Sequence, residues 1–355
     1  MAADYKKELE QLVAHVLSEG ASDLHFSVGA HPMVRKTNTL APLEAKPVLT
    51  NDDVDGFAKV LMQKPFFDRF HEKHEVDFSF ENKDGARFRG NGFWQRGNMS
   101  IALRFIPSTI RTFKELSLPP ILESFTQRPQ GFFLCVGPVG QGKSTTLAAM
   151  INRINESRAE HIVTIEDPIE YVYEDKLSLI DQREVGTDTP SFKDALNAAF
   201  RQDVDVILIG EMRDAETIGT AVTAAETGHL VFSTLHTNNA GQTINRIIDS
   251  FPGAQQSQIR AQLAGSLIGI FSQRLIPAAN GGLVPSYELL VNNSAVANLI
   301  REGRIHEIDA VVETGLEQGM IDMNRSLADL VKRGAITVED AFAHAVNPKG
   351  LERLI

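Results

Sequence analysis

Hydrophobic spacing changes character along the chain, and the changes outline its elements. Leu9, Leu12, Val13, Val16 and Leu17 recur three and four residues apart, which predicts an amphipathic helix over 4–19. Short runs at 23–28, 76–80, 87–93 and 99–106 read as strands, with a helical stretch over 52–70 between them. These predict a small α+β domain. Ile106-Pro107-Ser108-Thr109 reads as its exit, and Pro119-Pro120 as the opening of a second domain. From there apolar runs at 132–136, 161–165, 205–209 and 230–235 alternate with helical patterns over 143–155, 191–202, 214–227 and 254–273. Such alternation predicts βαβ units and a mostly parallel sheet. Beyond Leu283 the pattern is helical: 295–302, 304–315, 324–333 and 338–345. The expected fold class is therefore α/β. Its domains run over 1–107 and 119–355, with a linker or hinge at 108–118 and a helical C-terminal part from about 284.

Composition narrows the class. A single cysteine, Cys135, excludes an internal disulfide framework and a cysteine-cluster zinc site, and fits a reducing cytoplasm. The start of the sequence is charged, and no run approaches the roughly 18 apolar residues of a membrane span. No direct membrane insertion is expected, although the chain could dock on a membrane protein. The net charge of −11 is unevenly spread. Up to Thr109 there are 14 Lys and Arg against 15 Asp and Glu, and beyond it 21 against 31. A protein that tracks duplex nucleic acid needs a basic surface, so nucleic acid is not the expected partner.

Candidate chemistry centres on Gly137-Pro138-Val139-Gly140-Gln141-Gly142-Lys143-Ser144-Thr145, which fits G-x-x-x-x-G-K-[ST] at every fixed position. The run Phe132-Phe133-Leu134-Cys135-Val136 before it reads as a buried strand, and 146–154 after it as a helix. In that context glycines let backbone N–H groups wrap an anion at a helix N-terminus. Lys143 would reach the β- and γ-phosphates and the Ser144 hydroxyl would hold Mg²⁺. A nucleoside triphosphate, ATP, is the expected ligand.

Three further segments supply carboxylates and imidazoles at strand ends, where α/β proteins bind ligands. Glu166, Asp167 and Glu170 follow the second strand of this domain. A carboxylate there can activate water, and helical or extended geometry would put Glu166 and Glu170 on one side. The alternative is a solvated acidic loop. Glu211 follows the third strand, with Gly210 in the place of the Mg²⁺-linked aspartate. Glu211 is left to support the metal or the water. His229 and His236 bracket the fourth strand seven residues apart, about 23 Å if extended, so a shared metal is not expected. His236 could sense the γ-phosphate, and His229 could equally be a structural histidine. Finally, 85–111 holds Arg87, Arg89, Arg96, Arg104 and Arg111 with no acidic residue, interleaved with Phe88, Phe93, Trp94 and Phe105. That surface could stack single-stranded nucleic acid, present solvated arginines, or offer arginines to phosphates.

Taken together, these segments resemble the secretion and pilus ATPase superfamily over essentially the whole chain, and most closely its type IV pilus retraction ATPases. The resemblance is carried by Ala21-Ser22-Asp23-Leu24-His25, the glycine loop, Ile165 to Glu170, Gly210 to Asp214, Thr227 to Thr237, and Ala297-Asn298-Leu299-Ile300-Arg301-Glu302-Gly303. It implies a PAS-like N-terminal domain, a RecA-like ATPase domain with C-terminal helices, and a homohexameric ring. It further implies Glu170 as general base, Glu211 supporting metal and water, Arg89 and Arg104 brought onto the ATP, Glu166 near the nucleotide, and His229 and His236 as the family's histidine pair. In this family the absent aspartate at Gly210 is usual. The implied partner is a polytopic inner-membrane platform protein, the implied location cytoplasmic at that membrane, and the implied work pilus retraction in twitching motility. Related assembly and secretion ATPases usually carry a tetracysteine zinc module, which one cysteine cannot build, and a long N-terminal extension. They remain the alternative, and a P-loop protein of single-stranded nucleic acid a remoter one. The sequence departs from the family at Val139 and Gln141, at Gly90, and in the glycine-free loop 36–40.

Overall fold

A computed structural model describes residues 4–36, 39–106 and 109–355. Part of the 36–40 loop, Pro107 at the end of the expected first domain and Ser108 at the start of the expected hinge lie outside the described residues. The chain divides into two compact units, Met1–Thr109 with Pro168–Tyr171, and Ile110–Asp167 with Val172–Ile355.

The N-terminal unit begins with α1 (Tyr5–Glu19), whose Leu9, Leu12, Val13 and Val16 are buried. Strands β1 (Asp23–Ser27), β2 (Met33–Lys36) and β3 (Thr39–Pro42) follow, then α2 (Asn51–Leu61), α3 (Lys64–Lys73), β4 (Glu75–Glu81), β5 (Arg87–Gln95) and β6 (Asn98–Ile106). The expected single helix over 52–70 is two helices. Met62, at the end of α2, is extended, and Pro65 sits in the first turn of α3, where its missing N–H costs no bond. Thr50 and Asp53 form a reciprocal cap on α2. The sheet order is β3-β2-β1-β6-β5-β4, antiparallel throughout. One face buries Leu24, Phe26, Phe78, Phe88, Ile101 and Leu103 against the helices. The opposite face is polar, as antiparallel sheets allow. β2 and β3, four residues each, are too short for hydrophobic alternation to mark them in the sequence.

The C-terminal unit runs α4 (Leu122–Thr126), β7 (Gly131–Val136), α5 (Lys143–Ser157), β8 (His161–Glu166), β9 (Leu179–Glu184), α6 (Phe192–Ala199), β10 (Val206–Ile209), α7 (Ala215–Glu226), β11 (Leu230–Leu235), α8 (Ala240–Asp249) and α9 (Gly253–Ser266). It ends with β12 (Leu267–Pro277), β13 (Leu283–Val291), α10 (Ser294–Glu302), α11 (Ile308–Thr314), α12 (Met323–Lys332), α13 (Val338–His344) and α14 (Pro348–Glu352). The seven-stranded sheet has the order β13-β12-β7-β11-β10-β8-β9, parallel except for β13. Its central strands β7, β10 and β11 are buried at every residue, which explains their unbroken apolar runs.

Two expectations are corrected here. The helix expected over 254–273 stops at Ser266, and 267–277 is a strand between β7 and β13. A strand buried on both faces shows no period-two alternation, so its apolar run also fits a buried helix. Likewise the chain after Leu283 enters β13 before turning helical at Ser294.

Candidate functional site

The C-terminal edge of the parallel sheet gathers the loop after β7, Glu166 at the end of β8, Glu211 after β10 and His236 after β11. The glycine loop is shaped by close approach. Gly137 has φ 144°, and a β carbon there would lie 2.4 Å from the Gln273 carbonyl oxygen. Gly142 has φ 78° and would meet Gln273 Nε2 at 2.8 Å. Gln273, on β12, is the loop's anchor. Its Oε1 accepts from Thr146 Oγ1 at 2.6 Å, and its Nε2 donates to the Gln141 carbonyl at 2.8 Å. The unusual Gln141 joins the same lock, its Oε1 accepting from Leu275 N at 2.7 Å. Val139 is 81% exposed at the loop's tip, so its departure from the family alters no packing.

A phosphate fits this loop. The first turn of α5 has no side-chain cap, leaving its N–H groups to an anion. Lys143 is buried, and its Nζ donates to the carbonyls of Gly137 and Pro138 at 2.9 and 2.8 Å. That ammonium also lies 3.3 Å from His236 Nδ1. On the other side of the ring, His236 Nε2 lies 3.7 Å from Glu211, which pairs closely with Arg213. Partial burial, reinforced by Lys143, holds the His236 imidazole below its usual range. The ring is therefore neutral at pH 7, able to accept on one nitrogen and donate on the other. Ser144, half-buried beside Lys143, and Glu211 supply oxygens of the type Mg²⁺ takes. Thr145 is half-buried in the same turn of α5, and Gly140, with φ 76°, turns the loop's backbone.

Of the other residues expected at the site, His229 falls elsewhere. His229 precedes β11, and Gly131, at the start of β7, donates its N–H to the His229 carbonyl. That is the sheet's N-terminal edge, about 20 Å from the loop by strand rise. Its ring bonds the Ala224 carbonyl at 3.0 Å and packs edge-on to Phe200. Within this chain the His229 ring thus contacts Ala224 and Phe200, away from the glycine loop. Glu166 closes β8 and accepts from Thr164 Oγ1 at 2.7 Å. The chain bends at Asp167 and Pro168, so no helical or strand periodicity relates Glu166 to Glu170. Glu170 groups with the N-terminal unit. Asp214, adjacent to this edge, is the N-cap of α7, accepting from Thr217 N at 2.9 Å.

In the N-terminal unit, strand register divides the arginine-rich segment. Arg89 and Arg104 are direct partners across β5 and β6, both exposed on the polar face. Arg96 instead forms the β5–β6 turn with Gly97, at φ 48° and 75°, as two-residue hairpins require. Phe88, Trp94 and Phe105 belong to the hydrophobic core on the other face, so of the four interleaved aromatics half-buried Phe93 alone shares the face of Arg89. Gly90 is explained too. A β carbon there would strike the Phe78 ring at 2.2 Å, so an aromatic fills the space an aliphatic residue takes elsewhere.

The comparisons with known proteins agree with this fold. Residues 2–282 match the model of the type II/IV secretion system protein family. The chain belongs to that family. It is 46% identical to the twitching motility protein of Neisseria gonorrhoeae over 90% of this chain and 86% of that one. It is 42% identical to the type IV pilus retraction ATPase PilT of Pseudomonas aeruginosa over 96% and 99%. Among solved structures, the pilus retraction motor PilT with bound ADP superposes with a TM-score of 0.90, at 48% identity over 97% of this chain and 98% of that one. Within the family the chain groups with the twitching-motility ATPases, and its reaction is ATP hydrolysis.

Proposed function

We propose that this chain is the subunit of a homohexameric motor that spends ATP to retract a type IV pilus through a polytopic inner-membrane platform protein. The observation that carries this reading is near-full-length likeness to proteins named for twitching motility and pilus retraction. Lys143 binds the β- and γ-phosphates and the α5 N-terminus binds oxygens between them. Bound at Ser144 and Glu211, Mg²⁺ would neutralise phosphate charge during transfer. Glu170 takes the proton of the attacking water, His236 reports the γ-phosphate to Lys143 and Glu211, and Arg89 and Arg104 stabilise charge on the transferred phosphoryl group. The linker over 108–118 is the hinge for the N-terminal unit. No helix among the described residues is long and apolar enough to cross a membrane, which suits a motor docked on a membrane partner.

The test is ATPase activity with sizing for wild type and Glu170→Gln. A hexamer whose turnover collapses in the variant supports the reading; an active monomer indifferent to the change overturns both ring and base. Coupling to the pilus is read from α10, where Leu299 is buried in the core and would leave a cavity if truncated. Exposed Asn298 and Arg301, joined at 2.9 Å, are the better probe. Arg301→Ala should spare ATP turnover and impair twitching; equal loss of both would refute the coupling role. Deletion in a piliated host should give hyperpiliation, which an assembly or secretion motor would not.

A further inference from the structure

One row of the N-terminal sheet brings together charges that are far apart in sequence. Arg35 on β2 partners Asp23 on β1, Asp23 partners Arg104 on β6, and Arg104 partners Arg89 on β5. All four side chains share the polar face, because directly opposed residues point the same way. Arg104 and Arg89 stand directly opposed and repel, and the row holds one carboxylate, between Arg104 and Arg35. Asp23 is only 6% exposed. Its Oδ1 accepts from Arg104 Nε at 2.9 Å. Its Oδ2 accepts from Ser22 Oγ at 2.6 Å and lies 3.9 Å from Arg35 Nε. The contact to Arg104 uses Nε alone. The four terminal N–H donors of the guanidinium are not taken by Asp23, and the Arg104 side chain is 67% exposed. A carboxylate that gripped the terminal fork would sequester the arginine; one that grips Nε aims it.

We propose that Asp23 is a positioning residue for ATP hydrolysis: it holds Arg104 by Nε so that the terminal fork faces outward beside Arg89, ready for a phosphoryl group. This rests on the reading of Arg89 and Arg104 as phosphate-directed arginines. Orientation has catalytic value because a mobile arginine must be ordered during each turnover, whereas a held one is already placed. Asp23 also offsets the charge of its two neighbours, so Arg104 and Arg89 can stand opposed in the folded unit.

The experiment is a double-mutant cycle on the full-length protein, reading kcat and KM for ATP together with the thermal midpoint. Arg104→Ala should lower kcat at least about tenfold. Asp23→Asn keeps the shape and loses the charge; it should lower kcat about tenfold with KM changed less than about twofold. The double variant should be no slower than Arg104→Ala alone. Ser22→Ala, which removes a neutral donor from the same carboxylate, should keep wild-type kcat and monitors whether the pocket folds. Multiplicative losses in the double variant, or a fall in Asp23→Asn that follows its thermal midpoint alone, would reduce Asp23 to a structural role and overturn the proposal. A full kcat in Asp23→Asn beside a depressed Arg104→Ala would do the same while leaving the arginine reading intact. Full activity in Arg104→Ala would overturn that reading itself.

Discussion

The two units present charge by opposite devices. At the parallel sheet's edge, Lys143 opens α5 after the glycine loop, Glu211 and His236 sit on loops just past their strands, and a buried lattice from Gln273 fixes the glycine loop's geometry. On the antiparallel sheet, Arg35, Asp23, Arg104 and Arg89 sit within strands, and register alone places them. The first device encloses an anion with backbone N–H groups and costs glycines at strained φ. The second offers side chains outward and costs like-charge repulsion. A loop-edge site should be sensitive to any change in its backbone. A register row should tolerate backbone change poorly but let single side chains be exchanged with little loss of fold.

The sharpest break of this contrast is at Lys143. Lys143→Ala should reduce kcat by about 10³-fold or abolish it, because among the described residues Lys143 is the one buried Lys or Arg and on the proposed reading it meets the phosphates. Its circular dichroism should stay native. Hydrolysis within about tenfold of wild type would mean that the loop's N–H groups suffice and the device needs no cation.

Next comes Arg89, where function and stability should move in opposite directions. Arg89→Ala should lower kcat about 10²-fold, within the range of catalytic arginines. It should also raise the stability of the N-terminal unit by about 0.5 kcal/mol, since Arg104 loses a like charge directly opposite. A variant that is slower and less stable would show the row to be structural, and the comparison would fail on its second half.

Gln273→Ala tests the lattice under the loop. It strands Thr146 Oγ1 and removes the donor to the Gln141 carbonyl, which should cost about 1–3 kcal/mol of stability. ATP affinity should fall about tenfold if the loop relaxes. Unchanged ATP affinity with lowered stability would separate the loop's shape from its support.

How much of this was legible in the sequence follows from the same contrast. The loop device is local: nine adjacent residues, with a strand before and a helix after, disclose the phosphate site. Glu211 and His236 are each readable as the residue past an apolar run. The row is non-local, drawn from four strands, with 53 residues between Arg35 and Arg89. Asp23 lay within a recognised box, yet its role needed the β1–β6 register. Gln273 was hidden because a strand buried on both faces reads as a helix, and a polar residue inside such a run was the one available signal. The separation of His229 from His236 is legible from strand rise alone, whereas its contacts with the Ala224 carbonyl and Phe200 needed the fold.

Glu288 gives the finest test, because it is a carboxylate held by backbone and not by arginine. It lies on β13, where Ala240 at the start of α8 donates its N–H to Oε1 at 2.7 Å and Ser272 Oγ lies 3.5 Å away. α8 follows the loop that carries His236, so Glu288 ties the loop edge to the strand leading into α10. Burial pushes the Glu288 carboxyl up to about 7; the bond from Ala240 opposes this, and Asp309 and Asp322 nearby add to it. A carboxyl raised in the folded state contributes full stability below its unfolded value near 4.5 and loses it as pH rises through about 7. The loss is on the order of 3 kcal/mol between those limits. His161, raised by its bonds to Asp181 and to the Gln202 and Asp203 carbonyls despite partial burial, titrates in the same direction, so wild type alone cannot isolate the effect. The difference between wild type and Glu288→Gln can. Urea unfolding of the C-terminal unit should give similar stabilities at pH 5 and a more stable variant at pH 8. A pH-independent difference would mean that Glu288 stays ionised, with the α8 N-terminus outweighing its burial.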